Sequence, residues 1–335
     1  MRKQPFVHLI SMEDQINAGC IDYDSIISMI ERVFKDYHAG SILLPEKISQ
    51  VFDEQSQNRI NCMPSTLLND RVCGVKWVSV FPNNPSQFGI QNVSGIIILS
   101  SVDTGFPFAV MDGTLITALR TACVGAIGAK YLARKDASVY GSIGAGEEAV
   151  NHFKLIKRMV PAIKRAYVAS RTSNSENKFI ERLSPDYADV EFIQCDSDYR
   201  KASRDADIIV TAVSCQSPLL KADAIKPGAY YCHVGGWEDE YDVVRKADKI
   251  VCDNWEALKH RGSPTLARLY KEGGLKNEDI YCNLDELICG LKPGRESPQE
   301  FIYFNSIGLA FVDVAVAYSF YKKAIEKGRY KQWIL

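Results

Sequence analysis

The residues with the clearest chemical consequence are glycines. Residues 144–149 read Gly144-Ala145-Gly146-Glu147-Glu148-Ala149, a Gly-x-Gly-x-x-Ala turn. In such a turn the first glycine permits a tight bend and the second lets a pyrophosphate approach the backbone. The small last residue lets helix and strand pack closely. Free N–H groups at the start of the following helix, and its dipole, favour an anion there. Glu147 and Glu148 put two negative charges near those phosphates. They can point outward, and acids are favourable in a first helical turn. A second segment, Val168-Ala169-Ser170-Arg171-Thr172, stands where a dinucleotide-binding unit usually sets an acid against ribose hydroxyls. No Asp or Glu lies between Val168 and Asn174. Arg171 can instead pair with a 2′-phosphate, with Ser170 and Thr172 donating to it. The expected cofactor is NADP(H); NAD(H) stays open if Arg171 is only a solvated charge.

A phosphate-binding turn works on a strand–turn–helix frame. Strand candidates at 138–143, 165–169, 190–194, 207–213, 229–234 and 249–252 alternate with segments long enough for crossovers. Continuously apolar strands in that rhythm imply a parallel sheet covered on both faces. Six of them match a doubly wound, Rossmann-type nucleotide-binding domain. Thr211-Ala212-Val213 and Val234-Gly235, at the ends of two of these strands, are further expected cofactor contacts. Upstream, apolar spacing predicts a helix over 22–38, with Asp22 or Asp24 as N-cap and Gly40 as stop. Short β-rich runs follow at 48–52, 72–80, 95–100 and 106–111. They read as an antiparallel sheet, the last two a hairpin across Asp103-Thr104-Gly105. A long helix is expected at 114–134. The tail reads as a strand at 301–304 and a helix at 308–327. The expected fold is thus α/β: a Rossmann-type domain at 126–304 and an α+β domain at 1–125, with 305–335 packing back on the latter.

Composition bounds the partners. The chain has 335 residues, 46% hydrophobic and 24% charged, with 40 Lys+Arg against 41 Asp+Glu for a formal charge of −1. No overall field draws it to nucleic acid or to an anionic membrane. A small molecule, or a second copy of the chain, is the expected partner. Ten cysteines, at 20, 62, 73, 123, 195, 215, 232, 252, 282 and 289, include no Cys-x-x-Cys, and the five histidines form no His-x-x-x-His. The spacing supports no zinc or other metal site. No signal-like segment and no run of about 18 apolar residues stands out. A reduced, cytoplasmic protein that does not cross a membrane is expected.

Several further segments occur in a recognisable order. They are Gly74-Val75-Lys76-Trp77-Val78, Ser94-Gly95-Ile96-Ile97-Ile98-Leu99, Asp103-Thr104-Gly105-Phe106-Pro107 and Leu115-Ile116-Thr117-Ala118-Leu119-Arg120-Thr121-Ala122. With Ser306-Ile307-Gly308-Leu309-Ala310 and Asp313, they resemble the ornithine cyclodeaminase/μ-crystallin family over nearly the whole chain. Met63-Pro64-Ser65, Asn84-Pro85-Ser86 and Pro293-Gly294-Arg295-Glu296 are similar to its dehydrogenases of 2,3-diaminopropionate and siderophore biosynthesis. The resemblance implies a homodimer whose first domain carries the substrate pocket and the dimer interface. It implies Lys76 and Arg120 as the substrate-handling pair, and Lys47 as a third basic position.

The residue types suit that chemistry. An α-amino acid presents a carboxylate beside the carbon that gives or takes hydride. Arg120 can clamp it bidentately. Lys76 can hold the same group or polarise the C=N or C=O, and Lys47 can orient a further carboxylate. Each could also be a solvated cation, but Arg120 interrupts an apolar helical run and Lys76 an apolar strand, where burial is costly without an anion. One departure stands out. Family cyclodeaminases carry Asp after Val-Gly-Gly; here Val234-Gly235-Gly236 is followed by Trp237, which cannot be a base. Glu238 could act as acid/base with a shifted register, or simply belong to an acidic loop. Asp313 could face the cofactor or cap a helix turn. The implied activity is an NAD(P)-dependent oxidoreductase acting on the C–N bond of an amino or imino acid. An ornithine cyclodeaminase-type lyase and a non-catalytic NADP(H)-binding protein of the μ-crystallin kind are the alternatives.

Overall fold

Apolar strands separated by crossover helices can bury both faces of a sheet only if the strands run parallel. The computed structural model, which describes residues 5–53 and 55–335, contains such a sheet. Its eight strands run in the order Glu191–Gln194, Arg165–Ala169, Val139–Ile143, Ile208–Thr211, Tyr230–His233, Ile302–Asn305, Lys249–Cys252 and Cys282–Asn283. Every pairing is parallel. All residues of Ile208–Thr211, Tyr230–His233, Lys249–Cys252 and Ile302–Asn305 are buried. The chain order reverses between Val139–Ile143 and Ile208–Thr211. Ligands of doubly wound sheets bind at the carboxyl ends of strands at this switch point. Gly144 and Ala212 follow those two strands directly. Strand Ile302–Asn305, read above as part of the tail, is inserted between two earlier strands, which accounts for its complete burial.

The remaining strands form a second sheet. Its order is Lys331–Ile334, Phe6–Ile10, Pro107–Asp112, Val93–Ser101, Val72–Val80, Asn58–Leu67 and Ile42–Leu43, with Ile48–Asp53 also paired to Asn58–Leu67. Only Phe6–Ile10 with Pro107–Asp112 is parallel. The two chain-terminal strands and the ten-residue strand Asn58–Leu67 were not anticipated. Pro64 and the polar residues Asn58, Arg59 and Asn61 disguise that strand in the sequence. Pro64 is tolerated because it falls where the neighbouring edge is broken, between Leu43 and Ile48.

Period-2 alternation gives this sheet two faces. Asn61, Met63, Ser65 and Leu67 point inward with Val72, Gly74, Lys76 and Val78. Helix Ala310–Glu326 covers that face. A Cβ at Gly74 would stand 2.8 Å from Val314 Cγ2, so glycine lets the helix seat.

Contact clustering separates two units: residues up to Arg120 with Gly308–Leu335, and Thr121–Ile307. Helix Thr114–Leu132 carries the chain from one to the other. At 19 residues it is long and apolar enough to cross a membrane, contrary to the expectation that no such run exists. It is mostly buried in protein, as a core helix that is apolar all round would be.

Candidate functional site

In the nucleotide-binding unit, Gly144 has φ +118°, and a Cβ on it would lie 2.6 Å from the Ala212 carbonyl oxygen. Only glycine lets the turn pass so close to the neighbouring strand end. Gly146 is the N-cap of helix Glu147–Met159 and offers no capping side chain, so the first N–H groups are left for a ligand. A Cβ at Gly146 would meet nothing within 4 Å: the space in front of it is open. Ala149 is fully buried at the helix–sheet contact. This cradle fits a dinucleotide pyrophosphate. The two acids do not spoil it. Glu147 pairs with both Nη atoms of Arg182, which holds its carboxyl below the usual range. Glu148 lies beside it in the first turn.

At the end of strand Arg165–Ala169, Ser170 Oγ donates to the Thr172 carbonyl and Thr172 caps helix Ser173–Leu183. Arg171 is exposed and makes no hydrogen bond or ion pair among the described residues. Glu176, which sequence reasoning missed, is completely buried. It accepts from the N–H groups of Ser170, Asp196 and Ser197, at 2.8–2.9 Å. It thereby ties the Ser170 segment to the loop after the next strand. A lone acid on the inward face of an amphipathic helix was the available signal.

Glu238 is also completely buried. It accepts from Thr211 Oγ1 at 2.7 Å, Val213 N at 2.7 Å, Gly235 N at 2.8 Å and Val234 N at 3.3 Å. A Cβ at Gly235 would fall 2.5 Å from Glu238 Oε1. Thr211, Ala212, Val213, Val234 and Gly235 are thus brought together, and Glu238 is what joins them. The expectation of a free acid/base meets a carboxylate already engaged as a brace. Behind it, Asp239 Oδ1 accepts from Thr265 Oγ1 at 2.7 Å, with Tyr303 and Tyr231 hydroxyls at 3.2 and 3.3 Å. His233 Nε2 lies 3.3 Å from the same oxygen and 3.8 Å from Glu238 Oε2. Burial pushes Glu238 up to about 8 and Asp239 to about 7, and pulls His233 down to about 4. Trp237 is half-buried, with the Arg268 guanidinium 4.2 Å over its ring.

In the other unit, strand Val72–Val80 turns Lys76 inward, and helix Thr114–Leu132 presents Arg120. Only 1% of Lys76 and 6% of Arg120 is exposed. Both reach one atom: Asp313 Oδ1 accepts from Lys76 Nζ and from Arg120 Nε, each at 2.7 Å. Asp313, for which a place facing the cofactor was one expectation, sits instead with Lys76 and Arg120, fully buried in the first turn of helix Ala310–Glu326. Its Oδ2 has no hydrogen-bond partner among the described residues. Gly308, which sequence reasoning did not assign to the site, has φ +76°, and a Cβ there would lie 2.2 Å from Arg120 Nη1. Lys47 is half-buried just before strand Ile48–Asp53. The pairings Ile48–Cys62 and Met63–Lys76 put it level with the Lys76 row. Two cations sharing one carboxylate carry a net positive charge out of water, which favours an incoming anion.

The sequence profile of the ornithine cyclodeaminase/mu-crystallin family matches residues 9–328. The chain belongs to this family. It is 34% identical to an alanine dehydrogenase of Archaeoglobus fulgidus over 325 residues, covering 95% of this chain and 96% of that protein. It is 30% identical to the N-((2S)-2-amino-2-carboxyethyl)-L-glutamate dehydrogenase of Staphylococcus aureus over 268 residues, 80% of this chain and 79% of that protein. Among solved structures, the Thermococcus litoralis Delta(1)-pyrroline-2-carboxylate reductase in complex with NADH and L-proline superposes with a TM-score of 0.90 at 31% identity. The match covers 97% of this chain and 99% of that one. The two-domain Rossmann architecture is that of the family.

The brace generates a pH test. Folded Glu238 keeps its proton up to about 8 and the unfolded chain releases it near 4.5. Its contribution to stability is therefore complete at low pH and lost as pH rises through about 8. Asp239 acts in the same direction up to about 7. His233 has the opposite sign, but its contribution is complete above 6.5. Between pH 6.5 and 8 the Tm should fall with rising pH, and fall less steeply in Glu238→Gln. Parallel Tm–pH curves for the two proteins, recorded by calorimetry, would refute this account of the brace.

Proposed function

We propose that this family member is an NAD(P)-dependent oxidoreductase acting on the C–N bond of an amino acid derivative. The observation that carries the reading is the buried Lys76–Asp313–Arg120 triad, in which two cations meet the same carboxylate oxygen. Asp313 engages only the Nε of Arg120 among the bonds seen, and a guanidinium offers four further N–H donors on its Nη atoms. That fork suits the α-carboxylate of the substrate. Lys76 draws electron density from the reacting C=N or C=O. The dinucleotide, when bound, supplies or accepts hydride at the carbon bearing nitrogen. In the oxidative direction hydride and a proton leave, water adds to the imine, and a 2-oxo acid and an amine separate; reduction is the reverse.

The dehydrogenase and reductase names of the relatives at 30% identity or more support this class. One of those names contains an N-carboxyalkyl amino acid, which supports a role in 2,3-diaminopropionate or siderophore biosynthesis. Trp237 in place of the cyclodeaminase carboxylate argues against a lyase. The decisive assay follows the near-ultraviolet absorbance of reduced nicotinamide while 2-oxo acids are offered with amines. Stoichiometric loss of reduced cofactor is expected. Ammonia release without net absorbance change would mean a lyase, and cofactor binding without turnover a carrier.

Exposed, unpaired Arg171 supports NADP(H) as the preferred cofactor. Arg171→Ala should weaken NADP(H) binding by about tenfold or more, because a charge-assisted phosphate contact is lost, and leave NAD(H) nearly unchanged. Equal losses in fluorescence titrations would overturn the preference.

A homodimer is supported by the outer face of the first sheet. Ile48, Trp77 and Ile96 are 62%, 43% and 45% exposed, and pairing sets them in one row through Cys62. A contiguous apolar row of this kind marks an interface. One solved relative, 32% identical, is an archaeal alanine dehydrogenase dimer with bound NAD. Light scattering should give a dimer mass for the natural chain and a monomer mass for Trp77→Asp; an unchanged mass would exclude this face. None of the ten cysteines forms a disulfide, which accords with the reducing cytoplasm.

A further inference from the structure

We propose that Arg59 holds a second carboxylate of the substrate, so that the site takes an amino acid derivative ending in a distal acid. The proposal rests on the reading that Lys76 and Arg120 hold the α-carboxylate.

Strand register carries the argument. Arg59 pairs with Val80, and Met63 pairs with Lys76. Arg59, Asn61 and Met63 alternate onto the same face, the face that Lys76 occupies. Four residues of strand separate Arg59 from the Lys76 row, about 13 Å along the backbone. The two long basic side chains lie at either end of that interval.

The covering helix does not extend to the Arg59 end of this interval. Ala310, the first residue of helix Ala310–Glu326, packs with Met63 and Val78. One turn later Val314 sits against Gly74. The helix therefore starts at the Lys76 level and runs away from Arg59. Asn61 and Arg59 lie beyond its N-terminal end, where the dipole favours an anion. The N-cap, Leu309, offers no capping side chain.

Among the described residues no carboxylate pairs with Arg59. Arg59 is half-buried, and its Nη1 donates to the Gln57 carbonyl at 3.0 Å. Among the described residues it meets no carboxylate, and burial pulls its guanidinium below its ordinary value. A cation partly removed from water with only a carbonyl for partner is under-compensated. Asn61 is 5% exposed and its Oδ1 accepts from Ser49 Oγ at 2.9 Å, which leaves its amide N–H groups as donors on the same face. Asp313 is already committed to Lys76 and Arg120.

The test compares 2-oxoglutarate with 2-oxopentanoate, which lacks the terminal carboxyl. Each is titrated calorimetrically into the full chain, into Arg59→Met and into Arg59→Lys. The natural chain should bind the diacid about tenfold or more tightly, Arg59→Met should lose that preference while keeping its affinity for the monoacid, and Arg59→Lys should retain part of it. No preference in the natural chain, a preference that survives in Arg59→Met, or an equal loss for both acids would overturn the proposal. Hydride transfer to monoacid imines would then still stand. Conversely, an Arg59-dependent preference without any hydride transfer would retain this subsite and sink the oxidoreductase reading.

Discussion

One oxygen atom organises the unit built on the N-terminal sheet. Asp313 Oδ1 accepts from both Lys76 and Arg120. Removing two cations from water costs several kcal/mol each, and one carboxylate offsets only part of that cost. Much of the local structure is what this arrangement demands. A strand must turn Lys76 inward and a helix must bring Arg120 to the same point. A third element must deliver an acid, which is why the C-terminal helix lies against the N-terminal sheet. Gly74 lets that helix seat, and Gly308 makes room for the guanidinium. Within the triad two cations meet one carboxylate, so it carries a net positive charge that favours an entering anion.

The nucleotide-binding unit meets a different constraint: its strand ends must offer backbone N–H groups without leaving loops loose. It uses buried carboxylates for this. Glu176 gathers three N–H groups at one set of loops. Glu238 gathers three N–H groups and a hydroxyl at another. An acceptor with two oxygens can fix several donors at once, which no single apolar contact can do. The glycines at 144 and 235 are the steric counterpart, removing a Cβ where loop and carboxylate or carbonyl come together.

What was legible in the sequence followed from how local the cause was. The glycine-rich turn, the parallel strands and helix Tyr23–His38 with its Asp22 cap announce themselves within a few residues. Lys76 and Arg120 were legible as charges interrupting apolar runs. Strand Asn58–Leu67 was not, because Pro64 and three polar residues contradict a buried strand, and the broken edge that tolerates the proline is set by distant residues. The same obscurity hid Arg59 and Asn61. Glu238 was noticed for its type, but whether an acid faces substrate or its own loops depends on where four donors end up, and periodicity does not carry that. Asp313 could be placed on a helix from sequence; its partners lie 237 and 193 residues away.

These two devices bear on one chemical question, where protons are handled. Cyclodeaminases of the family place a carboxylate after Val-Gly-Gly; here that position is Trp237, stacked under Arg268. The next acid, Glu238, is bonded from four sides inside its own unit, so its oxygens are committed to loop geometry. Hydride chemistry asks less of the protein than deamination does. It needs the carboxylate held, the electrophilic carbon polarised and the cofactor loops rigid, while water can exchange the remaining proton. The triad carries a formal charge of +1, and a bound carboxylate brings it to neutrality. A hydride arriving at a C=N beside those cations builds negative charge where they are already fixed, the condition under which preorganised charges lower a barrier. Under the proposed function, Trp237 in place of the cyclodeaminase acid together with the buried cations is coherent with redox chemistry at this site.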